Sequence, residues 1–138
     1  MDYDLIKEKV VAYIGFSKKT EYEVKNKLLK LNADAEQINS IIHELIQMGY
    51  IDDNDYIDSY IRQNIKLCKY SIYEIKQKLM QKGLNKDLIE DKLQLLYDND
   101  YEVDVVNKII KSKSKSMDQI KLKQYLYKRG FRKYNFEV

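Results

Sequence analysis

One pattern recurs three times in this chain and limits the folds open to it. Residues 71–84, SIYEIKQKLMQKGL, read as a short helix marked at both ends. Ser71 with Glu74 three places on makes a capping box: the hydroxyl accepts the Glu74 amide and the carboxylate reaches back to the Ser71 amide. Ile75 and Leu79, four apart, share one face. Gly83 follows the last periodic residue, where a helix can end in a left-handed conformation at little steric cost, and Leu84 can fold back onto the final turn. Fifty-one residues upstream the same places are held by Thr20, Glu23, Val24, Leu28, Asn32 and Ala33. Forty-seven residues downstream Asp118, Leu122, Leu126, Gly130 and Phe131 hold them. Asn32 in place of glycine keeps the left-handed end, since asparagine also tolerates it. The third copy is looser at its start: Lys121 cannot close a box with Asp118, which leaves Ser116 with Gln119 as a candidate pair. A period near 50 residues, seen three times, is the mark of stacked repeats.

The rest of the chain extends the repeat into units of three helices. Helix 3–15 carries Leu5, Ile6, Val10, Tyr13 and Ile14, with Gly15 at its end. Helix 20–31 is the first marked helix. Asp34 and Gln37 cap helix 35–48, whose Ile38, Ile41, Ile42, Leu45 and Ile46 face inward, and Gly49 stops it. The next unit runs through helix 53–68 (Tyr56, Ile57, Tyr60, Ile61, Ile65), capped by Asp52 or Asp53, then the marked helix, then helix 86–97 behind Asn85. Ile89, Leu93 and Leu96 there answer to Ile38, Ile42 and Leu45. The last unit has helix 101–112 (Val103, Val106, Ile109, Ile110), a loop KSKSKS at 111–116, and helix 117–129. Phe136 stands in register with Ile89, so a third helix begins there without room for its second half. The expected fold is all-α: three tandem three-helix repeats (1–50, 51–98 and an incomplete 99–138) in an elongated, curved arrangement. No proline and only four glycines across 138 residues agree with helices more than with strand turns. A single 45-residue unit buries too little to be stable, whereas stacked units share interfaces.

Charge is uneven. Residues 1–100 hold 15 Lys/Arg against 18 Asp/Glu, while residues 101–138 hold 10 against 4. The basic end can face phosphates or an acidic surface, or be a solvated tail. The lone Cys68 excludes an internal disulfide and suits a reducing compartment. The start, MDYDLIKEK, is unlike a basic-then-apolar signal, and no apolar run approaches the ~18 residues of a membrane span. A soluble cytoplasmic protein without a membrane partner is expected.

Chemistry is poorly provided for. His43 has no Cys or His at ligand spacing, and Cys68 has no neighbouring feature of a nucleophile. Asp52, Asp53 and Asp55 are explained by helix capping and the helix dipole better than by metal-assisted phosphoryl chemistry. GxxxxGK[ST] is absent. No catalytic residue, no metal and no cofactor is assigned. Binding is the better account. Lys25, Lys27 and Lys30 project from the first marked helix, Lys76, Lys78 and Lys82 from the second, and Lys121, Lys123, Lys128 and Arg129 from the third. Any one of these is accounted for as a soluble helix former. Three faces strung along stacked repeats suit an extended anionic partner. Of the thirteen tyrosines, Tyr22 and Tyr73 hold equivalent places, which favours a shared packing role over base stacking. Tyr125, Tyr127 and Tyr134, set in the basic end, are better stacking candidates.

The chain resembles the RecX family, bacterial modulators of the RecA recombinase, over roughly residues 10–136. The features that carry the resemblance are the marked helix 20–31, the link Gly49-Tyr50-Ile51-Asp52-Asp53-x-x-Tyr56, the segment 62–69, the end Gln81-Lys82-Gly83-Leu84, and Lys128-Arg129-Gly130-Phe131. Where the family commonly has arginines and a serine, this chain has Ser17-Lys18-Lys19-Thr20, which keeps charge without the guanidinium fork. Tyr70 stands where the family favours glycine, and the final unit is shorter than usual. The resemblance implies a monomer that lies in the groove of the RecA–DNA filament and restrains it. That would lower ATPase and strand-exchange activity in recombination, DNA repair and the SOS response, with weak or RecA-dependent binding of single- and double-stranded DNA. It adds Lys18, Lys19, Arg62, Lys66, Lys69, Arg132 and Lys133 to the filament- or DNA-binding candidates. Two other readings stand beside it. One is a non-catalytic helical DNA-binding protein acting without RecA, in the manner of a helix-turn-helix domain, although no helix concentrates Arg, Asn and Gln as a base-reading face would. The other is an α-solenoid scaffold for an unrelated protein.

Overall fold

A computed structural model of the chain describes residues 2–131. Among these, eight α-helices form and no strand: α1 (Tyr3–Phe16), α2 (Glu21–Lys30), α3 (Ala35–Gln47), α4 (Asp53–Leu67), α5 (Ile72–Gln81), α6 (Lys86–Asp98), α7 (Tyr101–Lys113) and α8 (Gln119–Lys128). α1, α2 and α3 make one three-helix unit, α4, α5 and α6 the next, and α7 and α8 repeat the first two helices of the pattern. The fold is all-α and built of tandem helical repeats. Arg132, Lys133, Tyr134 and Phe136, and with them the expected start of a further helix, lie outside the described residues.

The marked helices are α2, α5 and α8, and their ends behave as their sequences require. Thr20 and Ser71 each close a full capping box, with Glu23 and Glu74. At α8 the cap is Asp118, which accepts from the Lys121 amide at 2.8 Å; Ser116 takes no part, so the alternative Ser116–Gln119 box is not formed. The helices end on left-handed residues, Asn32 at φ 62°, Gly83 at φ 74° and Gly130 at φ 96°. After two of them the chain closes a backward bond, Ala33 N–H to the Leu28 carbonyl and Phe131 N–H to the Leu126 carbonyl, both at 3.1 Å. Ala33, Leu84 and Phe131 are buried as a result.

Several boundaries differ from the sequence reading. α1 runs through Gly15 to Phe16, because one glycine at a helix end costs too little to stop it. α7 takes in Lys111, Ser112 and Lys113, so the polar loop starts only at Ser114. Leu5, Ile46, Ile65 and Val103, expected inward, are more than a third exposed. In α7 the buried residues are Val106, as expected, with Tyr101, Glu102 and Val105. Val103 sits two places from each of Tyr101 and Val105, on the opposite side of a 3.6-residue turn.

Two apolar cores result. The first joins Ile6, Val10, Ile14, Val24, Leu28, Ile38, Ile41, Leu45 and Ile51, all from α1–α3 and the link that follows. The second is continuous from Ile57 in α4 to Phe131 and takes in Leu79, Leu93, Val105 and Leu126. α7 and α8 therefore share a core with α4–α6. The two cores are joined by polar contacts and by the packing of Tyr22 on Gly83.

Candidate interaction surface

The contacts between successive units follow one plan, used twice. The N-terminal end of α2 receives the C-terminal end of α5, and the N-terminal end of α5 receives that of α8. Thr20 Oγ1 donates to the Lys82 carbonyl at 2.7 Å, and Ser71 Oγ donates to the Arg129 carbonyl at 2.5 Å. Both hydroxyls are fully buried. Each accepts from its own helix and donates to the next unit, a pair of duties that a single hydroxyl oxygen carries and a carboxylate cannot. The Glu21 amide donates to Asp53, and the equivalent Ile72 amide donates to the buried Glu102. Glu23 pairs with Lys82 at 3.4 Å, and Glu74 with Arg129 at 3.0 Å. Tyr22 lies on Gly83 and Tyr73 lies on Gly130, so close that a Cβ on either glycine would overlap the tyrosine.

This joint explains how the three copies depart from one another. Where a copy supplies the covered start, the cap is Thr20 or Ser71; Asp118, which can only accept once ionised, stands where the cap is exposed. Where a copy supplies the covering end, the left-handed residue is Gly83 or Gly130. The exposed end has Asn32. The equivalent tyrosines therefore have the packing role that their spacing suggested. Asp53, read as a possible cap, leaves that duty to Asp52 and reaches across to α2.

The basic residues divide by what they touch. Lys82 and Arg129 are parts of the joints. Glu23 raises the Lys82 ammonium above its ordinary value. Burial works against the Arg129 charge, but hydrogen bonds to Glu74 and Tyr125 outweigh it and hold it above its ordinary value. Arg129 also donates to the Lys69 carbonyl at 2.6 Å. Lys76 pairs with Glu90 inside its own unit. Lys19 and Lys27 sit over the Tyr13 ring at 4.9 and 5.4 Å, and Lys69 and Lys78 over Tyr70 at 5.5 and 3.9 Å. These four keep a charge that is held in place but not neutralised. Lys25, Lys66, Lys121, Lys123 and Lys128 are exposed and have no carboxylate partner among the described residues. Lys18 and Arg62 meet beside α4. Lys18 Nζ lies 2.5 Å from Asp55 and 2.7 Å from Ser59 Oγ, and Arg62 reaches the same Ser59 oxygen at 3.1 Å. The Lys18 hydrogen bond holds the Asp55 carboxyl below its usual range. Among the described residues no three His, Cys, Asp or Glu side chains come together as a metal site. No helix there is long and apolar enough to cross a membrane.

The unit built on α4–α6 is the part that comparison with known proteins picks out first. Residues 52–93 match the RecX second three-helix domain. Regulatory protein RecX of Streptococcus mutans serotype c is 31% identical over 129 residues, which cover 91% of this chain and 50% of that one. The fold agrees across the same span: the crystal structure of RecX from Lactobacillus salivarius superposes with a TM-score of 0.81 at 28% identity, covering 95% of this chain and 89% of that one. Over nearly its whole length the chain is similar to RecX proteins in sequence and in fold. Regulatory protein RecX of Streptococcus agalactiae serotype III is 34% identical over 123 residues, 86% of this chain and 48% of its own length. The chain thus spans about half the length of these curated RecX relatives. A second RecX crystal structure, at 22% identity and a TM-score of 0.78, shares the fold. These RecX relatives are named as regulatory proteins.

Proposed function

We propose that this chain binds the RecA–DNA filament and restrains it, lowering the recombinase's ATPase and its part in recombination and repair, without catalysing a reaction itself. The observation that carries the reading is the repeated joint. Two joints of one construction link α2 to α5 and α5 to α8, and each of the three helices keeps exposed lysines, among them Lys25, Lys78 and Lys123. A surface that repeats suits a partner that repeats, and a helical filament with phosphates in its groove is such a partner. The units are taken to divide near residues 50 and 98. The test is the single-stranded-DNA-dependent ATPase of RecA. Substoichiometric chain should slow it and shorten filaments seen by electron microscopy. An unchanged ATPase at equal stoichiometry, with tight DNA binding, would favour a DNA-binding protein that acts without RecA.

The basic end supplies a second expected outcome. Replacing Lys121, Lys123 and Lys128 together by alanine should weaken filament binding and flatten its salt dependence by up to about three in the log–log slope, if each neutralises one phosphate. Arg129 is left intact because its guanidinium braces the second joint. An unchanged slope would remove α8 from the interface.

A further inference from the structure

Leu29, Met80 and Tyr127 hold one and the same place in the three marked helices, and all are left in water, 53%, 40% and 58% exposed. Neither apolar core includes them. Seven residues earlier, two turns back on the same face, stand Tyr22, Tyr73 and Ile120, which are exposed as well. A single apolar side chain at the surface needs no explanation, but one place filled with a large apolar residue in every copy does. The joints account for Tyr22 and Tyr73, which lie on Gly83 and Gly130. They do not account for Leu29, Met80 and Tyr127.

The joints also bring these places into succession. Tyr22 packs on Gly83, whose amide donates to the Met80 carbonyl at 3.0 Å. Tyr73 packs on Gly130, whose amide donates to the Tyr127 carbonyl at 3.0 Å. The turn that carries Met80 therefore abuts the start of α2, and the turn that carries Tyr127 abuts the start of α5. The charge beside this row has one sign. Past the capping glutamates, residues 24–33, 75–85 and 119–131 contain no carboxylate, and Glu23 and Glu74 are paired with Lys82 and Arg129. Between the two apolar places stand Lys25, Lys76 and Lys123. Lys76 already holds a carboxylate, Glu90, while Lys25 and Lys123 are exposed. Aliphatic side chains such as Leu29 and Met80 offer a base no ring to stack on, and gain most by burial against other apolar side chains.

We propose that this row docks on protein and not on DNA, against a surface whose apolar side chains are rimmed by carboxylates and recur along it. The proposal deepens the filament reading and rests on it for the partner, RecA. Lysines to the side of the row, Lys121 and Lys128 among them, are left for phosphate.

The experiment is co-sedimentation of the full chain with RecA filaments on single-stranded DNA at several salt concentrations, beside anisotropy on the same DNA without RecA. The triple variant Leu29→Gln, Met80→Gln, Tyr127→Gln should bind filaments at least about tenfold more weakly, the scale of a few truncated anchor residues. Its salt slope should be unchanged, because no cation is removed. DNA alone should bind it as it binds the parent. Glutamine suits a helix as well as leucine or methionine does, so the urea midpoint should match the parent's. If it falls, Leu29→Gln and Met80→Gln made singly should each weaken filament binding about two- to threefold at an unchanged midpoint. A triple variant that pellets like the parent overturns the row and leaves the filament reading standing. A parent that does not bind filaments overturns the filament reading, and the RecA partner with it. Equal losses on filament and on DNA alone would give the row to the bases and overturn the proposal. So would sedimentation equilibrium showing a parent dimer that the triple variant cannot form, which would give the row to a second copy of this chain.

Discussion

Gly83→Asn should destabilise the chain by about 1–3 kcal/mol, the range for forcing extra atoms into a packed contact. The equivalent exchange in the first copy, Asn32→Gly, should change stability by no more than about 1 kcal/mol, the usual scale of glycine effects on the backbone. The backbone argument alone predicts no such difference. Asn32 already holds φ 62° and Gly83 holds φ 74°, so asparagine can adopt the conformation at either place. What differs is the neighbour. A Cβ on Gly83 would overlap Tyr22 at its own Cβ and Cγ, and a change of rotamer moves the Cγ but not the Cβ. The helix starting at Glu21 would have to move off the end of α5. The expected pattern in urea denaturation is a lowered midpoint for Gly83→Asn and only partial recovery when Tyr22→Ala is added, since alanine removes the ring contact but keeps the Cβ one. Gly130→Asn should behave alike, since its Cβ would come within 2.6 Å of Tyr73 Cβ. Equal and small effects at Asn32, Gly83 and Gly130 would mean that the joints do not form.

Ser71→Ala carries the second large effect, about 2–4 kcal/mol. Loss of the cap to the Glu74 amide contributes about 1 kcal/mol. The rest comes from the Arg129 carbonyl, which loses its 2.5 Å donor inside the joint; a buried acceptor left without a partner costs about 1–3 kcal/mol. Asp118→Ala removes a cap of the same kind from α8 but opens no joint, so it should cost only about 1 kcal/mol. Ser71→Asp is the discriminating control. It restores an acceptor for the Glu74 amide but places a carboxylate against the Arg129 carbonyl, and should remain well below the parent in stability. A Ser71→Asp variant as stable as the parent would show that the hydroxyl's donor role is dispensable.

Much of the fold was legible because helix ends are local. A capping box at Thr20–Glu23 or Ser71–Glu74, and a left-handed residue at 32, 83 and 130, can be read from a few neighbouring letters. So can the period that relates them. The resemblance to RecX proteins was legible for the same reason, since the segments that carried it are these caps and links in order. The inner faces of α4 and α7 were read less well: Ile65 and Val103 are as apolar as their buried neighbours, and only the direction of packing tells them apart.

The joint was not read from the sequence, although its signal is there. Thr20 and Ser71 differ from Asp118, and Gly83 and Gly130 differ from Asn32, in the way a covered end differs from an open one. The sequence comparison treated these as interchangeable capping residues, because within one helix they are. The difference acts only between units, across 62 residues for Thr20 and Lys82 and 58 for Ser71 and Arg129. For the same reason Lys82 and Arg129 were grouped with the outward lysines. Local spacing puts them on a polar face, and tertiary contact turns that face into an interface with Glu23 and Glu74. The meeting of Lys18 with Arg62 at Ser59 depends likewise on how the link before α2 lies against α4.

The most direct measurement is co-sedimentation of this chain with RecA filaments assembled on single-stranded DNA. The account predicts that the chain pellets with the filament, saturates at a fixed ratio to RecA, and is released as salt rises. A chain that stays in the supernatant at stoichiometric concentration, or that pellets equally with the DNA alone, would contradict it.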